Sequence, residues 1–234
     1  RSRGNSSLLL PNCDFLGRFP NPARFEIEET TQIQATSIDA LHQDGVIADL
    51  YFIKIDVQGA ELDILKGGEA FFNRSILGAE IEVEFHPLYK GQPLFSDIDA
   101  YVRDSLGLEI QDLRKTYWKF PAGINVGSPK GQLIFGDALY FRSPYEILDW
   151  CARFSRNEAS SKVQMACLMG IAYGYLDYSL CILNQPSIGA YLERHTVERW
   201  KSLVVQYGRC LKYSGKFSGL LTNFLNYLYR IFQV

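Results

Sequence analysis

Asp56, Glu84 and His86 are the residues whose types and places suit proton chemistry. The run KIDVQGAELDILKG, residues 54–67, closes a short apolar stretch with Asp56, turns through Val57 and Gln58, and opens a helical pattern at Gly59 with Glu61 in its first turn. The run AEIEVEFH, residues 79–86, ends in Glu84, Phe85 and His86. Ligands of open α/β sheets bind outside the carboxyl ends of the strands, and a carboxylate placed there can take a proton from a reacting hydroxyl. Asp56 and Glu61 equally suit the N-terminus of the following helix, and position alone leaves both readings standing. His86 alone reads as a satisfied polar residue. Beside acids ending two neighbouring strands, it completes a candidate catalytic set of Asp56, Glu84 and His86.

Glu80, Glu82 and Glu84 share one face of AEIEVEF, with Ile81, Val83 and Phe85 on the other. A sheet covered on both faces does not tolerate three unpaired carboxylates on one of them. Lys54, on the face of Phe52 and Asp56, is the expected partner of Glu82 or Glu84; Glu80, at the start of the strand, needs only exposure. Tyr89, Gln92, Tyr117 and Trp118 fall in expected loops at the same edge. Tyr89, Gln92 and Trp118 are candidate acceptor-binding residues, with ordinary core packing as the competing role for the aromatic rings.

The elements that must position these groups alternate. FEIEETTQIQATSI (25–38) has strand composition, YFIKID (51–56) reads as a buried parallel strand, and the pattern from Gly59 predicts a helix of roughly 14 residues. AEIEVEF (79–85) is the next strand. A helix over 96–106 has Ser96 as its expected N-cap and Gly107 just past its end. LEIQDL (108–113), a loop rich in glycine, proline and aromatic residues, and QLIFGDALYFR (132–142) follow, the two strands being expected to pair antiparallel. Strand, helix, strand, helix, strand, loop, strand is α/β order. From 144 onward the chain reads as helices, the last over Phe217–Phe232 with an apolar stripe at helical spacing. That stripe is expected to be covered by other helices or by a second copy of the chain, as a homo-oligomer would do.

Composition narrows the classes. The 234 residues are 47% hydrophobic and 14% aromatic, which supports a sizeable core and excludes a disordered chain. A net charge of −2 gives no pull toward nucleic acid. No apolar run reaches the ~18 residues of a membrane span. The five cysteines are odd in number and show no paired short spacing, so free thiols in a cytoplasmic protein are expected rather than disulfides or a zinc site. Nothing in the spacing of the carboxylates demands a metal.

The runs KIDVQGAELDILKG, EIEVEFHPLYKGQPLFSDIDAYV, TYWKF and GQLIFGDALYFR resemble the FkbM family of S-adenosylmethionine-dependent methyltransferases, over about residues 6–142. The resemblance implies a class I methyltransferase (Rossmann-like) sheet, S-adenosylmethionine as cofactor, and transfer of its methyl group to a hydroxyl of a sugar, glycan or natural product. It implies Asp56, Gln58 and Gly59 as cofactor-binding residues. Gln58 stands where the family usually has glutamate. The family's glycine-rich turn of the type DVGAN and its later ribose-binding acid have no match in this sequence, and Gly123, Gly127 and Gly131 have the wrong spacing for that turn. The expected organisation is therefore a carboxyl part of the catalytic domain over 1–143 and a helical extension over 144–234. A non-catalytic binding module built on a methyltransferase is the alternative.

Overall fold

A computed structural model describes residues 3–125, 127 and 130–214. The chain divides into two compact units between Arg142 and Ser143.

The first unit is a mixed α/β fold. After a short helix α1 (Cys13–Leu16) comes α2 (Ile38–Gln43), whose first turn is capped by Ser37 Oγ accepting from the Ala40 amide at 3.1 Å. Strand β1 (Phe52–Ile55) leads into α3 (Glu61–Gly67) and α4 (Glu69–Ser75), and β2 (Gly78–Glu84) follows. The single helix expected after Gly59 is thus broken. A Cβ at Gly68 would lie 2.7 Å from the Phe72 ring and 3.1 Å from Ile38, so the backbone passes too close for any side chain. The second helix gains a cap from a distant residue: Asp39 of α2 accepts from the Ala70 and Phe71 amides at 3.3 and 2.8 Å.

Helix α5 (Phe95–Leu106) is capped at its start by Asp97 Oδ2, which accepts from the Leu94 amide at 2.9 Å; Ser96, the expected cap, lies inside the helix. Its end matches expectation, with Gly107 at a φ of +63°. Strand β3 (Leu108–Trp118) turns back into β4 (Gln132–Arg142). Tyr117 and Trp118, expected in a loop, are the last residues of β3, where they pair with Leu133 and Gln132. β4 runs unbroken through Gly136, whose Cβ would sit 2.7 Å from the Arg114 carbonyl oxygen.

The sheet order is β1-β2-β4-β3, with β1 and β2 parallel and the other pairs antiparallel. Among the described residues β1 pairs with β2 alone and forms an edge. The segment 26–36, expected as strand, forms none; β-branched composition makes no strand without a partner to complete the ladder.

One sheet face packs Ile55, Ile81, Val83, Ala138 and Tyr140 against Leu65, Phe72, Ile98 and Val102 of the helices. The other carries charge. Lys54 reaches Glu80 at 2.6 Å and Asp137 at 3.3 Å, and Arg114 reaches Asp137 at 3.0 Å and Glu80 at 3.4 Å. This row crosses all four strands and meets water, the Lys54 and Arg114 side chains being 51% and 69% exposed. The parallel register sets Lys54 opposite Glu80, so the expected pairing with Glu82 or Glu84 is replaced by Glu80 and Asp137.

The second unit is helical in its described part: α6 (Ile147–Cys151), α7 (Arg156–Tyr173), α8 (Leu176–Leu183) and α9 (Arg194–Ser214). Ser155 and Glu158 form a capping box on α7, and Gly174 at a φ of +86° ends it. Ser179 Oγ donates to the Cys167 carbonyl at 2.8 Å and joins α8 to α7. The expected helix over Phe217–Phe232, and with it the oligomer contact, lies outside the described residues.

Candidate functional site at the carboxyl ends of β1 and β2

The turn after β1 is built around an unusual backbone. Gln58 has a φ of +58° and Gly59 one of +109°. A glutamine in the left-handed region costs about 1 kcal/mol and persists only where its surroundings hold it. Here Glu61, fully buried, turns its carboxylate back over the turn and accepts from the Val57 amide at 3.0 Å and from the Gly59 amide at 2.9 and 3.1 Å. Ser7 Oγ donates to the Gln58 carbonyl at 2.6 Å. Glu61 therefore takes the amides that an acid at Asp56 was expected to cap. Asp56 caps no helix among the described residues and stays exposed.

The acid groups meet across Gln58. Its Nε2 donates to Asp56 Oδ1 at 2.9 Å and to Glu82 Oε2 at 2.6 Å, while Tyr89 Oη donates to its Oε1 at 3.1 Å. Glu82 lies within hydrogen-bonding reach of Asp56 and is pushed up to about 8, first by burial and then by the charges of Asp56 and Glu84. Glu84 is 1% exposed, and neither of its carboxyl oxygens has a hydrogen-bond partner. Burial, then the charge of Glu61, also raises it to about 8, so it is largely protonated at neutral pH. Gln92 stands close enough to pull the other way, but no hydrogen bond of ordinary geometry joins the two side chains. Burial and the same acids hold the Tyr89 phenol well above its ordinary value.

Of the candidates from sequence, Asp56, Gln58 and Tyr89 are joined by hydrogen bonds, and Glu84 lies beneath them. Gln92 is buried, and its Oε1 accepts from the Leu88 and Tyr89 amides at 2.9 and 3.0 Å, shaping the loop that carries Tyr89. His86 sits apart from the acids. Its ring lies 2.9 Å from Gln132 Nε2 and stacks on Phe15 at 5.1 Å. Trp118 packs edge-on to Phe19 and lies under the Arg24 guanidinium at 4.3 Å. A cavity of about 440 Å³, lined in part by Ser6, Ser7, Arg24, Phe25 and Tyr89, adjoins the site through the Ser7 and Tyr89 contacts to Gln58.

Sequence reasoning underrated Glu82, Glu61 and Ser7. The alternation of EIEVEF already put Glu82 on the site's face; only the register, with Glu80 drawing Lys54 away, shows that it remains for Gln58. The contact with Ser7, 51 residues from Gln58, has no sequence signal. Among the described residues no group of three His, Cys, Asp or Glu side chains is arranged to hold a metal ion, and no helix is long and apolar enough to cross a membrane.

No curated protein and no solved structure matches the chain. A family model, the methyltransferase FkbM domain, matches residues 2–108, a span that ends where β3 begins. Asp56, Gln58, Glu61, Glu82, Glu84 and Tyr89 all fall within that span, which covers just under half of the chain and is similar to the FkbM methyltransferase domain.

Proposed function

We propose that the protein takes part in S-adenosylmethionine-dependent O-methylation of a hydroxyl on a small molecule or glycan, on a sheet of the class I methyltransferase type, with Asp56 as the general base. One observation carries this reading: Asp56 is an exposed carboxylate at the carboxyl end of a parallel strand, held in place by an amide that also binds Glu82. The neighbouring acids suit the cationic, methyl-bearing end of the donor. Nothing in the sequence supplies the glycine-rich turn for its adenosine, so the residues present fit one end of the donor and not the other.

The donor, when bound, supplies an electrophilic methyl group. The chain's own residues have simpler tasks. Asp56 accepts the proton of the acceptor hydroxyl as the oxygen becomes nucleophilic. Gln58 and Glu61 hold the turn that aims Asp56, so positioning is settled before the acceptor arrives. Tyr89 and Ser7 join the cavity to Gln58, and we assign that cavity to the acceptor, with Gln92 shaping its Tyr89 wall and Trp118 backing it through Arg24. Glu84 and His86 are the comparison bases. Cys13, Cys151, Cys167 and Cys181 form no disulfide among the described residues, which suits a reducing cytoplasm.

The test is transfer of a labelled methyl group from S-adenosylmethionine to a panel of sugars, glycans and hydroxylated small molecules by the native gene product. Methylation on oxygen that falls sharply in Asp56→Asn supports the reading. Methylation of nitrogen or carbon alone, or full activity in Asp56→Asn, overturns it. Residues 1–234 by themselves are expected to bind S-adenosylmethionine only weakly by calorimetry; micromolar binding would show that the adenosine is held without a glycine-rich turn.

A further inference from the structure

We propose that Gln58 is the positioning residue of this site: its side-chain amide ties Asp56 and Glu82 into one acid pair, with its carbonyl oxygen turned to the Tyr89 hydroxyl. Both Nε2 protons are used, one on Asp56 at 2.9 Å and one on Glu82 at 2.6 Å. Oε1 then faces Tyr89 Oη at 3.1 Å, whose proton also has the Asn5 carbonyl within reach at 3.3 Å. The left-handed backbone at Gln58 is what brings the amide between a strand end and the neighbouring strand. Asparagine and glycine adopt that backbone more readily than glutamine, so loop shape alone gives no reason for this residue; reach to both acids does.

The consequence is that the proton affinity of Glu82 depends on this bridge as well as on its burial. Around the pair stand Glu61 from α3, Glu84 from the same strand as Glu82, Asp137 directly opposite Glu82 on β4, and Tyr89 from the loop after β2. The cations Lys54 and Arg114 are engaged by Glu80 and by that Asp137. Gln58 is thus the group that donates to both members of the pair, and a donor to a carboxylate favours its ionised form. The proposal rests on the reading of Asp56 as the base only for its effect on turnover; the pairing stands on geometry.

The experiment is a carboxyl-carbon NMR titration of the full chain, with Glu82 assigned through Glu82→Gln. Gln58→Asn and Gln58→Gly keep the fold, by amide spectra, yet raise the Glu82 midpoint by about 1 pH unit, because neither side chain reaches both acids. Tyr89→Phe raises it less, in the same direction. Folded Asn and Gly variants with the Glu82 midpoint unchanged overturn the proposal. If both fail to fold, Tyr89→Phe decides alone, an unmoved midpoint counting against it. No donor or acceptor is needed. A shifted Glu82 midpoint with full turnover in Asp56→Asn therefore sinks the base and leaves the pairing, and the reverse result does the opposite.

Discussion

The row of glutamates on β2 has two ends that differ in kind. Glu80 lies among cations, with Lys54 at 2.6 Å and Arg114 at 3.4 Å, on a face open to water. Glu84, two pairs further along the same face, is buried and has no partner for either oxygen. Glu82, between them, is satisfied by an amide rather than a cation. Opposite charge accounts for the first end as ordinary surface stabilisation. At the other end Glu84 is pressed by burial and by neighbouring acids, an arrangement that costs stability and that folds retain where it serves chemistry. Among the described residues Lys54 and Arg114 form ion pairs with Glu80 and Asp137 and not with Glu82 or Glu84.

Replacing an acid at each end gives the largest contrast. Asp56→Asn should lower methyl transfer by roughly 100- to 10,000-fold, the usual worth of a general base, whereas Glu80→Gln should leave it within a few-fold. Single-turnover transfer, with donor binding measured on the same samples, checks both. Near-full turnover in Asp56→Asn with loss in His86→Gln would move the base to His86 and reduce Asp56 to a ligand of Gln58.

The second contrast is in stability against pH. Glu84 is raised from an ordinary 4.5 to about 8 in the fold. Between those values the native chain holds a proton that the unfolded chain has lost, so stability falls as pH rises through that window and levels off above it. A shift of one unit corresponds to about 1.4 kcal/mol; relaxation around the ionised group reduces the total, and a loss of about 3 kcal/mol between pH 5 and pH 8.5 is expected from Glu84. Glu84→Gln keeps the shape and removes that part of the slope. Urea unfolding of wild type and variant at both pH values measures it, and parallel slopes would mean that the buried carboxyl ionises freely.

Much of this was legible in the sequence. Alternation in AEIEVEF set Ile81 and Val83 toward the core and the glutamates away from it, and the apolar run ending in Asp56 is the parallel neighbour. Gly107 marked the end of α5. What escaped depends on contacts between distant residues. The break at Gly68 needs Phe72 and Ile38 to come close, and residues 26–36 have strand composition but no partner. Lys54 could be matched with a glutamate of β2, but which one is a matter of register, and a shift of two residues separates a surface ion pair from an acid of the candidate site. Gln58 was visible as a departure from the family's glutamate. Its role as a bridge appears only when Asp56, Glu82 and Tyr89 surround it.

The smallest expected effect tests the paired end itself. Lys54 is half exposed and hydrogen-bonded first of all to Glu80, which raises its pKa from the ordinary 10.5. Its stabilising contribution is therefore present throughout the neutral range and is lost only as pH climbs through that raised value. Lys54→Ala should cost less than about 1 kcal/mol, because an exposed pair is screened and carries the entropy of a long side chain. Arg114 also remains on both acids, at 3.4 Å from Glu80 and 3.0 Å from Asp137. The difference should shrink further at high salt, where the Debye length falls to ~3 Å. Chemical denaturation at low and high ionic strength measures it. A cost of several kcal/mol that survives salt would mean that Glu80 is desolvated like Glu84, and the distinction between the two ends would then lie in the presence of a cation alone and not in exposure to water.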